Sequence, residues 1–345
     1  ELAPESGHHY YTLSFPPKLG VATLQKDAEL DHDRLMSVER NRILGIHPNA
    51  RARAANFVQV FPGFGCNEVA HRSEIVDDWI CSNPFASIKF AGLECRLPDL
   101  DRSQMQLLYS KVSGPSITTD DEKLGLVSDI VVGLPEVLII KRTYFDSIAT
   151  NEAFRTTLFQ KPERAAYAGY EVSSFSDVKD LPEEDIGPTL YDLSSARAAN
   201  HIGASVFALS DDRYPIFFEQ GIDQEEGAGT VVVSGTGSAD WMDRNPLREE
   251  TNFFDIPKRS MMREFMEEAG LWTASERVKE MLRVQNTRDQ VIGEMAIDVM
   301  LVGYFRWVSR FGKPEFLGVT KTDVKLAHVQ AQAEEVVKLR GGLGL

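Results

Sequence analysis

Four charged side chains stand close together in the stretch DIPKRSMMREFMEEAGL, residues 255–271: Arg263, Glu264, Glu267 and Glu268. Carboxylates three and four residues apart share one helical face, where like charges repel. Such a cluster suits a hard divalent cation, because Mg2+ and Mn2+ take oxygen ligands and keep waters or substrate phosphates in their remaining positions. The plain alternative is a solvated acidic face, with Arg263 and water absorbing the repulsion. The flanking residues read as a helix. Asp255 is a good N-cap with the helix starting at Ile256, Pro257 fits the first turn, and Gly270 is a natural stop. Met262, Phe265, Met266 and Ala269 give it a buried side, which puts the glutamates on the opposite or flanking surface.

The nine residues REFMEEAGL, 263–271, resemble the core of the Nudix box, R-E-U-x-E-E-x-G-U, in which U is bulky and apolar. Phe265 takes the first U place, Leu271 the second, and Gly270 the glycine. The family places this helix after a strand and a glycine-rich loop, preceded by a hairpin. TVVVSGTGS and GASVFALSDD are similar to those parts, and the resemblance covers roughly residues 201–339. It implies Mg2+ or Mn2+ held by Glu267 and Glu268, with Glu264 as a further ligand or as the base that orients a water. Arg263 would hold a glutamate through a charge-assisted hydrogen bond. Glu264, Glu268 and Arg263 are thus the implied catalytic set. The implied activity is hydrolysis of a diphosphate bond in a nucleoside-diphosphate-type, small phosphorylated substrate.

The longer family pattern breaks upstream. Eight residues before Arg263 stands Asp255 rather than Glu, a shorter carboxylate still counted among the metal ligands. The glycine expected six residues earlier falls on Glu249. The glycine loop at residues 234–238 is separated from the helix by ADWMDRNPLREETNFF, an inserted-looking segment that reads as a lid or substrate-specific wall. These departures motivate an alternative: a catalytically degenerate Nudix-like domain that acts as a ligand-binding or protein-interaction module.

A length of 345 residues is enough for about two domains. A net charge of -15 speaks against general nucleic-acid or anionic-membrane binding, which needs clustered positive charge. No apolar run approaches the ~18–20 residues of a membrane span. Three widely spaced cysteines, Cys66, Cys81 and Cys95, suit reduced thiols in a cytoplasmic protein. A homo-oligomer is left open by the sequence. The expected fold class is α/β: a Nudix-like α/β/α sandwich with a mixed sheet over residues 191–345, preceded by an α+β domain of unknown role over 1–190. The boundary falls near the acidic, proline-bearing run 173–193, which reads as a linker.

Helices are expected over residues 28–47, 102–114 and 326–340, and a strand over EVLIIKRTYF, after which DSIATNEAFRTTLF turns helical beyond Asn151. HIGASVFALSDDRYPIFFEQG reads as a hairpin, and SGTGS as a tight turn that is no P-loop, because it lacks the lysine. Glu294 and Asp298, expected at the start of the next strand, are candidate further ligands or plain strand-edge acids. Trp241, Trp307 and Phe311 read as nucleobase-stacking or core aromatics. His8 and His9, the Cys66–His71 neighbourhood, and Arg51 with Arg53 carry no spacing that marks a site.

Overall fold

The computed structural model describes residues 23–25, 57–63, 66–92, 120–151, 157–160, 170–173, 178–180, 188–190, 193, 194, 196, 198–219, 231–244, 252–285, 287–307, 310 and 312–329. The helices expected at 28–47 and 102–114, most of the linker, and the closing helix beyond residue 329 lie outside these residues, as do His8, His9, Arg51, Arg53 and Phe311. Strands are β1 Thr23–Gln25, β2 Phe57–Gly63, β3 Cys66–Arg72, β4 Ser87–Phe90, β5 Glu122–Leu126, β6 Glu136–Thr143, β7 Thr157–Gln160, β8 Tyr170–Ser173, β9 Val178–Asp180 and β10 Pro188–Leu190. There follow β11 Gly203–Leu209, β12 Pro215–Glu219, β13 Val231–Val233, β14 Gly235–Ser238, β15 Met300–Trp307 and β16 Lys313–Lys321. Helices are α1 Glu74–Cys81, α2 Tyr144–Ala149, α3 Asp255–Glu268, α4 Leu271–Ala274, α5 Glu276–Gln285 and α6 Arg288–Met295.

The architecture is mixed α/β, with parallel and antiparallel pairing. The chain divides into unit 1, Glu1–Val76, Ile88–Ile202 and Tyr304–Pro314, and unit 2, Asp77–Ser87, Gly203–Gly303 and Glu315–Leu345. Each takes residues from both sides of position 190. Among the described residues no helix is long and apolar enough to cross a membrane.

In unit 1, β5 and β6 pair antiparallel and bury Leu124, Leu126, Val137 and Ile139. Of the helix expected beyond Asn151, residues 152–156 lie outside the described residues, and where the described chain resumes it is the strand β7, not a helix; α2 itself ends before Asn151. The helix begins directly at the end of β6 because Asp146 Oδ2 accepts the Thr143 N–H at 2.8 Å and Asp120 Oδ1 accepts that of Phe145 at 2.8 Å. Thr150 and Asn151 are then engaged elsewhere: their side-chain oxygens accept the N–H groups of Ala199 and Asn200, each at 2.9 Å.

In unit 2 the strands run β13-β12-β11-β16. The expected hairpin is present as β11 and β12, with Ala208 opposite Ile216. β16 runs parallel to β11, from Gly203 opposite Glu315 to Leu209 opposite Lys321. SGTGS is not a tight turn. Its last four residues form β14, antiparallel to the first half of β11. Ser234 makes the joint, for its hydroxyl accepts the Ala208 N–H at 2.6 Å and donates to Ile216 O at 2.8 Å. Side chains alternate along a strand, so Gly235 and Gly237 both face α3. A Cβ on Gly235 would lie 2.7 Å from Phe265 N. The glycines serve close helix-to-strand packing, not reversal of the chain.

α3 lies against β11 and β14 with Met262, Phe265, Met266 and Ala269 fully buried, the stripe expected from spacing, and Met261 buried beside them. Its start differs. Phe254 holds the N-cap position and Asp255 is already helical. Asn252 organises the entry instead: its side chain accepts Ala86 N–H at 3.1 Å and donates to Pro84 O at 3.0 Å. Phe253 and Phe254, both fully buried, pack edge-on against Phe316, and Phe254 also against Trp79 at 5.5 Å. Gly270, in the left-handed region at φ 62°, ends α3 as expected. The helices α4 to α6 were not foreseen. Consequently Glu294 lies in α6, and Asp298 in the one-turn 3-10 helix Ala296–Asp298, not at a strand start. Thr287 caps α6 by accepting the Gln290 N–H at 3.3 Å, and Val291, Ile292 and Met295 anchor it.

Candidate functional site

The C-terminal half of α3 carries the acidic cluster, all of it within unit 2. Arg263 stands at its centre with only 16% of its side chain exposed. Nη1 donates to Glu264 Oε1 at 2.8 Å and lies 3.8 Å from Glu267 Oε2. Nη2 donates to Ser238 O at 3.2 Å and pairs with Asp240 at 3.2 Å. Nε and Nη2 both reach the Asp243 carboxylate, at 3.3 and 3.1 Å. The expected cluster of Glu264, Glu267 and Glu268 is thus supplemented by Asp240, just before the one-turn 3-10 helix Trp241–Arg244, and by Asp243 within it. The repulsion between Glu264 and Glu267 is met by one guanidinium.

The three glutamates have distinct surroundings. Glu267 is half exposed. Glu264 is packed over β14, where a Cβ on Gly237 would overlap its carboxyl group. Glu268 accepts a hydrogen bond from the Thr236 backbone N–H, yet its Oε2 is buried without a hydrogen-bond partner. Burial first, then the charges of Glu264 and Glu267, push the Glu268 carboxyl up to about 8. Arg263 goes the other way. Burial opposes its charge, but Asp243, Glu264 and Asp240 outweigh that and hold its pKa above the ordinary range. Burial likewise pushes the Asp243 carboxyl up, and Arg263 pulls it back. In this bidentate geometry we take the pair as ionised.

Asp255 is not brought to the cluster. Nine residues along a helix is a rise of ~13 Å, and its carboxylate approaches Arg259 at 3.9 Å instead. Glu294 is exposed on α6, and Asp298 pairs with Arg277 at 2.6 Å. Trp241 lies beside the cluster with the Arg244 guanidinium 3.7 Å above its ring, while Trp307 packs edge-on against Phe305 at 4.6 Å. Of the cysteines, Cys81 is an exposed free thiol, pushed up by burial and then by Asp77 and Asp78. That shift disfavours the thiolate needed for nucleophilic work. Asp240 and Asp243 were missed in the sequence. Their only signal was a pair of acids at helical spacing within an insertion rich in both charges.

The chemistry of the donors fits a hard divalent cation. Glu264 and Glu268 are four residues apart on one face, and the bare Glu268 oxygen lacks the positive partner that a buried carboxylate needs. As the side chains stand, no three His, Cys, Asp or Glu residues among those described are grouped as a metal-holding set. No family model and no curated protein matches the chain.

Proposed function

We propose that the chain is a Mg2+- or Mn2+-dependent, Nudix-type hydrolase of a diphosphate bond in a nucleoside-diphosphate-type substrate. The observation that carries this reading is the Glu268 carboxyl. It is half-buried beside Glu264 with one buried oxygen unpartnered and its proton affinity raised, a costly arrangement unless a cation or a proton is meant to fill it. Glu264, Glu267 and Glu268 would hold the ion. When bound, such an ion supplies positive charge against the phosphate oxygens and acidifies water. Arg263 fixes the Glu264 carboxylate by a charge-assisted bond, so the ligand is set before substrate arrives. Glu268 or Glu264, through the carboxylate oxygen that does not hold the ion, would take the proton from the attacking water.

A second reading is a binding module without catalysis. It is favoured by Asp255, which stands at the far end of α3 from the glutamates it would have joined. Mn2+ titration, together with phosphate release from a panel of nucleoside diphosphate derivatives, separates the two. A hydrolase binds Mn2+ and turns over, and both properties are lost in Glu267→Gln and Glu268→Gln. Nucleotide binding without turnover identifies the module. Absence of Mn2+ binding in the wild type removes the metal site altogether.

A further inference from the structure

Asp243 lies outside the nine-residue string, yet it is the most deeply buried acid of the cluster, with 5% of its side chain exposed. It is fixed from several directions. The Asp240 N–H donates to its Oδ2 at 2.8 Å, and Arg259 Nη1 donates to its backbone oxygen at 3.1 Å. Both of its carboxylate oxygens then face Arg263, taking Nε and Nη2. A guanidinium is a rigid planar fork, so two anchored nitrogens determine where the third one points. Here the third is Nη1, which meets Glu264 at 2.8 Å and stays 3.8 Å from Glu267.

We propose that Asp243 is the positioning residue of the acidic site: its two-point grip on Arg263 limits that cation to one close contact with the metal-binding glutamates. Without Asp243, Arg263 keeps the Nη2 contacts to Ser238 O and Asp240 but loses the anchor on Nε, and the fork can pivot about Nη2 to bring Nη1 close to both Glu264 and Glu267. Those carboxylates would then be neutralised from within and lost to an added cation. Asp243 also offsets the Arg263 charge, which otherwise repels any divalent ion at the cluster. A short segment following β14 therefore sets the charge available on α3. The consequence for metal binding rests on the hydrolase reading, whereas the grip itself does not.

The test is Asp243→Asn, which keeps the side-chain shape and removes the charge and one acceptor. Two quantities are measured. One is Mn2+ affinity, from the paramagnetic resonance of the free ion. The other is the Nε–H resonance of Arg263 with its hydrogen exchange, assigned by its disappearance in Arg263→Lys. The expected result is Mn2+ binding weaker by about 10-fold or more, the usual effect of losing a group that orients metal ligands. Exchange at Arg263 Nε–H accelerates in parallel. A folded Asp243→Asn protein with wild-type Mn2+ affinity and wild-type exchange overturns the proposal. If the wild type binds no Mn2+, the metal reading fails separately and the Arg263 resonance decides: faster exchange in Asp243→Asn upholds the grip, and unchanged exchange refutes it. If Asp243→Asn does not fold, Asp243→Glu carries the same readouts. Its longer side chain shifts the grip, so the resonance moves and Mn2+ binding weakens, whereas wild-type values in both sink the idea.

Discussion

Replacing Glu268 by Gln gives the sharpest reading of the acidic site, because the effect changes with pH in a direction the geometry dictates. The Glu268 carboxyl is pushed from an ordinary 4.5 up to about 8 by burial and by the charges of Glu264 and Glu267. Between those values the native state holds a proton that the unfolded chain has released. The contribution of this group to stability is therefore complete below about pH 4.5 and is lost as pH rises through about 8. At ~1.4 kcal/mol per tenfold change in proton affinity, the ceiling on that loss is ~5 kcal/mol. Water reaching the half-buried carboxyl and rotation toward solvent bring the expected figure to ~1–3 kcal/mol. Gln mimics the neutral acid and cannot ionise. In urea unfolding with a chelator present, Glu268→Gln should match the wild type near pH 5 and exceed it by that amount near pH 9. Saturating Mn2+ at high pH should then restore the wild type and leave the variant unmoved, by mass action on the native state. Parallel stability profiles for the two proteins across this range would show that Glu268 is an ordinary solvated carboxylate, and the case for a metal there would lose its support.

Gly237→Ala should displace the Glu264 carboxyl from β14, since an added Cβ occupies its place, and so abolish Mn2+ binding in titration while circular dichroism shows the fold retained. Phe254→Ala should cost about 3–5 kcal/mol in urea unfolding, the usual effect of removing a fully buried aromatic ring, and a loss under ~1 kcal/mol would mean the Phe253–Phe254–Phe316 cluster repacks freely. In unit 1, His201 is fully buried, and burial, followed by Lys313 and Lys123, holds its imidazole well below the usual range. The unfolded chain therefore takes up the proton first, and stability should fall by up to ~1.4 kcal/mol per pH unit below about 6.5. His201→Gln should flatten that slope, and an imidazole seen titrating near 6.5 by NMR would contradict it.

What the sequence made legible is what neighbouring residues decide. The apolar stripe of α3, its stop at Gly270 and the β11–β12 hairpin follow from periodicity and turn chemistry over a dozen residues or so. The start of α3 was misplaced by one residue because Asn252 makes its hydrogen bonds to Pro84 and Ala86, residues remote in sequence. SGTGS read as a turn because glycine usually marks one. Its glycines recur at a period of two, which is also what a strand pressed against a helix requires. The glutamates of the site were readable as a run, but the acid that grips Arg263 was not. Asp243 and Arg263 are 20 residues apart, and only the folded chain joins them.

The pairing of β11 has a consequence for how the protein is made. Its antiparallel neighbours β12 and β14 come soon after it in the chain, but its parallel neighbour is β16, and Ser205 and Glu315 are 110 residues apart where their side chains meet. Contacts of such high sequence separation close late and slow folding, because the intervening loop must first lose its entropy. During synthesis one edge of β11 stays open, with its backbone donors and acceptors unmatched, until Lys321 has left the ribosome. An open strand edge is a template for pairing with other chains. A nascent chain stalled before β16 thus presents an open edge for self-association, and truncation within β16 should raise aggregation above that of the full chain.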